Sequence, residues 1–173
     1  WSTGRGKAPD MCNANEGGDV TIRSAKPSDL KRMLAITQEV FGPVSIDRMI
    51  EDKLGPARAR WIDIKGAAVS KELNNNPAGA FVAELDGQIV GYLTTTVDAV
   101  ASRGVINNIA ISHKAQGKGL GRRMLNVALD HFRSLKLSHA KIETLTVNEV
   151  GQRLYPSLGF EEVARQIHYV MKL

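Results

Sequence analysis

The chain has 173 residues, 43% apolar and 24% charged, which is enough for one buried core and excludes an intrinsically disordered chain. The net charge of +5 suits a polyanionic partner, either nucleic acid or a phosphate-bearing cofactor, while the single cysteine, Cys12, excludes an intramolecular disulfide and a cysteine-based metal cluster. No run approaches the roughly 20 continuous apolar residues of a membrane helix, so no membrane association is expected and the cytoplasm is the expected compartment.

Residues 1–19 are polar and rich in Gly and Asn, and read as an N-terminal tail ahead of a single domain over residues 20–173. Val20-Thr21-Ile22-Arg23 alternates as a short strand, and Lys26-Pro27-Ser28-Asp29 supplies a turn and a helix start. From Leu30 to Phe41 apolar residues recur at helical spacing until Gly42-Pro43. Between Ser45 and Asn76 two further helices are expected, broken at Gly55-Pro56, with the second running from Arg58 to Leu73.

Ala80–Leu85 and Gln88–Leu93 flank Asp86-Gly87, a strong signal for a tight hairpin. A strand from Val105 to Ile111 leads through a glycine-rich turn into a long helix from Leu120 to about Leu137. Lys141–Val147 reads as a strand, Glu149–Leu158 as a short helix closed by Gly159, and Phe160–Met171 as a last, alternating strand. The pattern predicts an α/β (α+β) domain: a mixed, mostly antiparallel sheet flanked by helices, with a parallel strand-helix-strand unit at its centre.

The segment Gln116-Gly117-Lys118-Gly119-Leu120-Gly121-Arg122-Arg123 has the physics of an anion site. Its glycines let the backbone turn with N–H groups uncovered, the helix that follows turns its partly positive end the same way, and Lys118, Arg122 and Arg123 add charge. A glycine triple can also serve only to join a strand to a helix. Alternating Gly117, Gly119 and Gly121 do not match the G-x-G-x-x-G dinucleotide fingerprint, and no Gly-Lys-Ser/Thr follows as in a Walker-type loop.

The segment resembles the GNAT signature Gln/Arg-x-x-Gly-x-Gly/Ala. Asn148-Glu149-Val150-Gly151-Gln152-Arg153-Leu154-Tyr155 with Leu158-Gly159-Phe160 resembles that family's second block. The resemblance spans residues 20–173 and implies an N-acetyltransferase that moves an acetyl group from acetyl-coenzyme A to a primary amine by direct attack on the thioester. It implies that Ile109, Ala110 and Ile111 line the pantetheine arm, with the Ile109 N–H as oxyanion donor. By the same likeness, Gln116, Gly117, Lys118, Gly119, Leu120, Gly121 and Arg122 hold the pyrophosphate and Asn148 lies on the cofactor side, although Asn148 also suits a plain helix N-cap.

Tyr155, at the family's Leu-Tyr position, is the implied proton donor to the departing thiolate. The carboxylate that some members carry early in the strand before the glycine turn is missing here, where Val105, Ile106, Asn107 and Asn108 stand. Glu84, His113 and Glu143 remain as candidate bases, beside a water chain or an amine that arrives neutral. His131, His139 and His168 lack companion ligands, so no metal is expected.

The other reading is a non-catalytic domain that holds acyl-coenzyme A as a sensor or scaffold. A nucleic-acid partner rests on basicity alone and lacks interleaved aromatics. The acceptor should be selected by residues 45–76 and the hairpin, and a homodimer through an exposed strand edge or the last strand, Phe160–Met171, is preferred over a monomer.

Overall fold

The computed structural model describes residues 19–173, so Cys12 and nearly all of the expected tail lie outside the described residues. The elements run β1 (Val20–Ser24), α1 (Leu30–Val40), α2 (Ile46–Leu54), α3 (Trp61–Asn75), β2 (Ala80–Leu85), β3 (Gln88–Asp98), β4 (Arg103–Ile111), α4 (Leu120–Ser134), β5 (His139–Ile142) and α5 (Glu149–Leu154). Among the described residues no helix is long and apolar enough to cross a membrane.

The five strands form one sheet in the order β1-β2-β3-β4-β5, antiparallel throughout except for the parallel pair β4 and β5 that α4 connects. The predicted mixed, mostly antiparallel sheet with a parallel strand-helix-strand unit is therefore present, but that unit lies at one edge of the sheet rather than at its centre, because β5 is the outermost strand. At the hairpin both Asp86 (φ 51°) and Gly87 (φ 74°) take positive φ, the geometry a two-residue turn needs to match the strand twist.

The sheet is covered on both faces. On one, α4 buries Leu120, Met124, Leu125, Ala128 and Phe132 against Phe81, Ala83, Leu93 and Ile106. On the other, α1 and α3 bury Met33, Ile36, Val69 and Leu73 against Val82, Tyr92 and Ala110.

A bulge in β4 changes which of its residues face which core. Thr95 pairs with Ile106 but Thr94 pairs with Asn108, so Asn107 is an extra residue on β4. Before it Ile106 faces α4; beyond it Ala110 faces α1 and α3, while Ile109 and Ile111 pack towards α4.

Several boundaries differ from expectation. The helix expected from Arg58 begins at Trp61, whose N–H is held at 2.6 Å by the Glu51 carboxylate of α2, a tertiary cap. α4 stops at Ser134 because Lys136 takes a left-handed φ of 56°. The strand expected over Lys141–Val147 is only His139–Ile142, and α5 ends at Leu154, followed by a 3-10 turn at Pro156–Leu158.

The last strand, expected over Phe160–Met171, is absent: residues 160–173 carry neither helix nor strand and are almost wholly exposed. Alternation alone does not make a strand, whose backbone groups need a partner ladder. β5, at the sheet edge and only four residues long, pairs with β4 alone among the described residues.

Candidate active site

A groove of about 550 Å³ opens where β4 and β5 part. β4 pairs with β5 only from Arg103 to Ile106, so the strand beyond the bulge has lost its neighbour on that side. The Ser112 N–H donates to the Val90 carbonyl at 2.8 Å, and strand alternation therefore turns the N–H and C=O groups of Ile109 and Ile111 away from β3, towards the groove. Ile109, Ala110 and Ile111 all line it. Gln116 donates from its side-chain amide to the Ile111 carbonyl at 2.9 Å, which ties the following turn to the strand end.

That turn is shaped for exposed amides. Gly117 (φ 76°) and Gly119 (φ 72°) occupy the left-handed region that disfavours a side chain. Gly119 is also the N-cap of α4 and has no side chain with which to cap it. The first intrahelical donor near this end is the Arg123 N–H, bonded to the Gly119 carbonyl at 3.2 Å, so the N–H groups of Leu120, Gly121 and Arg122 have no partner within the helix. Uncapped amides and the helix dipole together favour an anion at this point.

The basic side chains are distributed unevenly. Lys118 is exposed on the turn, and Arg122 bonds the Ser157 carbonyl and hydroxyl at 3.2 and 2.7 Å while lining the groove. Arg123, expected to add charge here, instead donates to the Val20 carbonyl on β1.

Across the groove stand Asn148, Val150, Gly151, Leu154 and Tyr155. The Asn148 side chain accepts the Gly151 N–H at 3.1 Å as the N-cap of α5 and donates to the Thr144 hydroxyl at 2.8 Å. Gly151 is required by crowding: a Cβ there would lie 2.8 Å from the Asn148 amide and 3.0 Å from the Tyr155 ring. Tyr155 meets Phe160 edge-on at 6.3 Å, and burial pushes its phenol above the usual tyrosine range, opposed in part by the Thr144 hydroxyl.

The third wall was not legible in the sequence. Val40, Phe41 and Val44, at the end of α1 and the turn after it, line the same groove. In the sequence they mark only where an amphipathic helix stops. On Phe41 rests the Lys65 ammonium, 4.7 Å from the ring centroid. Burial pulls the Lys65 amine below the ordinary lysine range, against the raising influence of Glu72 and Asp47.

None of the three candidate bases lines the groove. Glu84 is ion-paired with Arg23 at 2.6 Å, and Glu143 is exposed and ion-paired with Lys141 at 2.7 Å. His113 is tied to α1, with its N–H on the Glu39 carboxylate and its ring 3.2 Å from the Glu39 carbonyl. His131, one of the scattered histidines, packs edge-on against Phe81. Among the described residues no three His, Cys, Asp or Glu side chains gather as a metal site.

The arrangement suits a ligand with an anionic end seated on uncapped amides and an extended arm lying along an unpaired strand edge, its far end near Tyr155. Comparison with known proteins shows the family. The profile of the acetyltransferase (GNAT) family matches residues 46–160. The chain is 35% identical over 155 residues to a mycothiol acetyltransferase of Thermomonospora curvata, with 87% of this chain and 47% of that protein covered. It is 31% identical over 159 residues to the mycothiol acetyltransferase of Acidothermus cellulolyticus, with 82% and 45% covered. The chain thus spans about half the length of the curated relatives it matches. Among solved structures, the PaiA N-acetyltransferase of Thermoplasma acidophilum in complex with coenzyme A shares the fold, with a TM-score of 0.67 at 16% identity over 83% of this chain and 90% of that one.

Proposed function

Because the chain belongs to the GNAT family of acetyltransferases, we propose that it transfers an acetyl group from acetyl-coenzyme A to a primary amine, by direct attack of the amine on the thioester. The observation that carries this reading is the pairing of an uncapped helix N-terminus at Gly119 with the unpaired backbone edge of Ile109 and Ile111 along one groove. A diphosphate fits the first and an amide-bearing pantetheine arm fits the second.

In this reading the N–H groups around Gly117, Lys118, Gly119, Leu120 and Gly121 receive the pyrophosphate, with Gln116 bracing the turn and Arg122 flanking it. Asn148 fixes the start of α5 and so the placement of Tyr155. The Ile109 N–H faces the thioester carbonyl as negative charge develops on its oxygen. Tyr155, kept protonated by burial, donates to the departing sulfur. A phenol raised by burial is a weaker acid than a thiol, so its transfer to the departing sulfur is uphill taken alone and is completed by return of the acetylated nitrogen's surplus proton to the phenolate oxygen.

The acceptor is an amine that enters beside Phe41 and Val44. The relatives' name makes an acceptor of the mycothiol class the first to try. The open outer edge of β5 is the surface we assign to homodimer formation, and we place the protein in the cytoplasm.

A screen for free thiol release from acetyl-coenzyme A tests the reading. Glucosamine, spermidine, kanamycin and an alanine-terminated peptide are offered beside mycothiol-class amines, and calorimetry follows coenzyme A uptake in parallel. Uptake with amine-dependent thiol release is the expected result. Uptake without release under any amine favours a sensor, and no uptake defeats both readings.

A further inference from the structure

The carboxylate that β4 lacks reaches it from a helix. Glu72, on α3, extends to the sheet, where its Oε2 accepts hydrogen bonds from the Thr94 hydroxyl at 2.6 Å and the Asn108 amide at 2.5 Å. Asn108 also donates to Thr94 at 2.9 Å, and the two are 3% and 1% exposed. These bonds fix the Asn108 amide with its nitrogen towards the carboxylate and its oxygen enclosed without a donor. Asn108 immediately precedes Ile109, the residue whose backbone faces the groove.

Such a cluster is poor packing. A buried amide oxygen with no partner is a standing cost, and apolar residues at Asn108 and Thr94 would fill the same space without it. Among the described residues the second oxygen of Glu72, Oε1, has no hydrogen-bond partner and no ion pair engages the carboxylate, whereas Glu84 and Glu143 are ion-paired with Arg23 and Lys141.

The surroundings already receive a primary ammonium. Lys65, on the same helix, places its nitrogen over Phe41, and Glu72 and Asp47 of α2 are the charges that favour its protonated form. Tyr92 of β3, bonded to Thr37 at 2.7 Å, is the remaining titratable neighbour on this face, and its phenol also feels Glu72. Phe41 is at once a wall of the groove and the seat of that ammonium.

We propose that Glu72, which does not itself line the groove but is bonded to Asn108 directly before Ile109, is the proton acceptor for the attacking amine, a role that rests on the acetyl-transfer reading above. Glu72 takes one proton from the acceptor ammonium, and the freed nitrogen pair forms a bond to the thioester carbonyl carbon. As the intermediate collapses, the C–S bond breaks with its electron pair going to sulfur. The sulfur takes the Tyr155 proton, the nitrogen returns its surplus proton to the Tyr155 oxygen, and Glu72 releases its proton to water. The products are the amide and the free thiol.

The test is Glu72→Gln, whose amide oxygen still accepts from Thr94 and Asn108, assayed with acetyl-coenzyme A and whichever of glucosamine, spermidine, kanamycin or the alanine peptide the wild-type chain acetylates fastest. The expected result is wild-type coenzyme A affinity with kcat about 100-fold lower at pH 7, a deficit that narrows towards pH 9.5 as the amine arrives already neutral. Thr94→Val removes one brace but keeps the carboxylate, and should retain the wild-type pH dependence even where it lowers Tm. An undiminished kcat in Glu72→Gln, or a deficit equal at all pH values, overturns the proposal while leaving acetyl transfer intact. Failure of the wild-type chain to bind coenzyme A removes the reading beneath it and the proposal together.

Discussion

The Glu39 carboxylate of α1 holds two groups at the end of β4 at once, the Ser112 hydroxyl at 2.8 Å and the His113 N–H at 2.7 Å. One helix is thereby fastened to the start of the glycine turn, and the wall formed by Val40 and Phe41 is positioned relative to the backbone of Ile109 and Ile111.

These bonds, led by that from Ser112, hold the Glu39 carboxyl below its ordinary value of 4.5. A lowered folded value means the stabilisation is complete above about pH 4.5 and disappears as pH falls through the folded value. Glu39→Ala should lower stability by about 1–2 kcal/mol at pH 7, and the gap from wild type should shrink as pH falls below 4. Urea melts of both proteins at the two pH values measure it.

Gly119→Ala should weaken coenzyme A binding about tenfold or more, because a residue with a Cβ resists the φ of 72° that turns the local amides outward. Gly87→Ala is the matched control: its φ is 74°, it also has open space around it, and it sits in the remote hairpin. Both variants should lose about 1–2 kcal/mol of stability. Only the first should change the calorimetric affinity, and equal losses of affinity would remove the glycine turn from the binding site.

Tyr155→Phe should lower kcat about 100-fold without altering coenzyme A affinity. Since burial raises the phenol, the alkaline fall in wild-type activity attributable to Tyr155 should lie above pH 10. Initial rates across pH 6–11 give both results, and unchanged turnover would exclude the proton-donor role.

Tyr92, wholly buried, is raised well above the tyrosine range mainly by burial. Its neutral form contributes stability in full below about pH 10, and that contribution is lost as pH rises further. Tyr92→Phe removes the bond to Thr37 and should cost about 1 kcal/mol at pH 8, yet lose less than wild type between pH 8 and 11. Denaturant midpoints at the two pH values provide the comparison.

What the sequence made legible was local. Asp86-Gly87 announced its hairpin because both residues tolerate positive φ, and Gly117 and Gly119 announced a turn with open amides for the same reason. The amphipathic face of α4 was equally plain, since Leu120, Met124, Leu125, Ala128 and Phe132 recur at helical spacing and are all buried. What stayed hidden depended on partners distant in the chain. Glu51 caps α3 from another helix, Glu39 reaches Ser112, and Glu72 reaches Asn108, contacts that no spacing encodes. Phe160–Met171 misled for the converse reason: its alternation is that of a strand, but its backbone has no neighbouring ladder.

Asn107 divides β4 into two stretches with opposite side-chain phase. Excising that single residue would leave the faces unchanged, because Thr95–Ile106 and Thr94–Asn108 are already successive pairs on β3: Ile106, Ile109 and Ile111 would still face α4, and Asn108 and Ala110 would still face α1 and α3. What the inserted residue changes is the count along the chain: it lets Ile106 and Asn108, two positions apart, serve opposite faces, so a strand whose inner side chain meets α4 at Ile106 offers an amide to Glu72 just beyond.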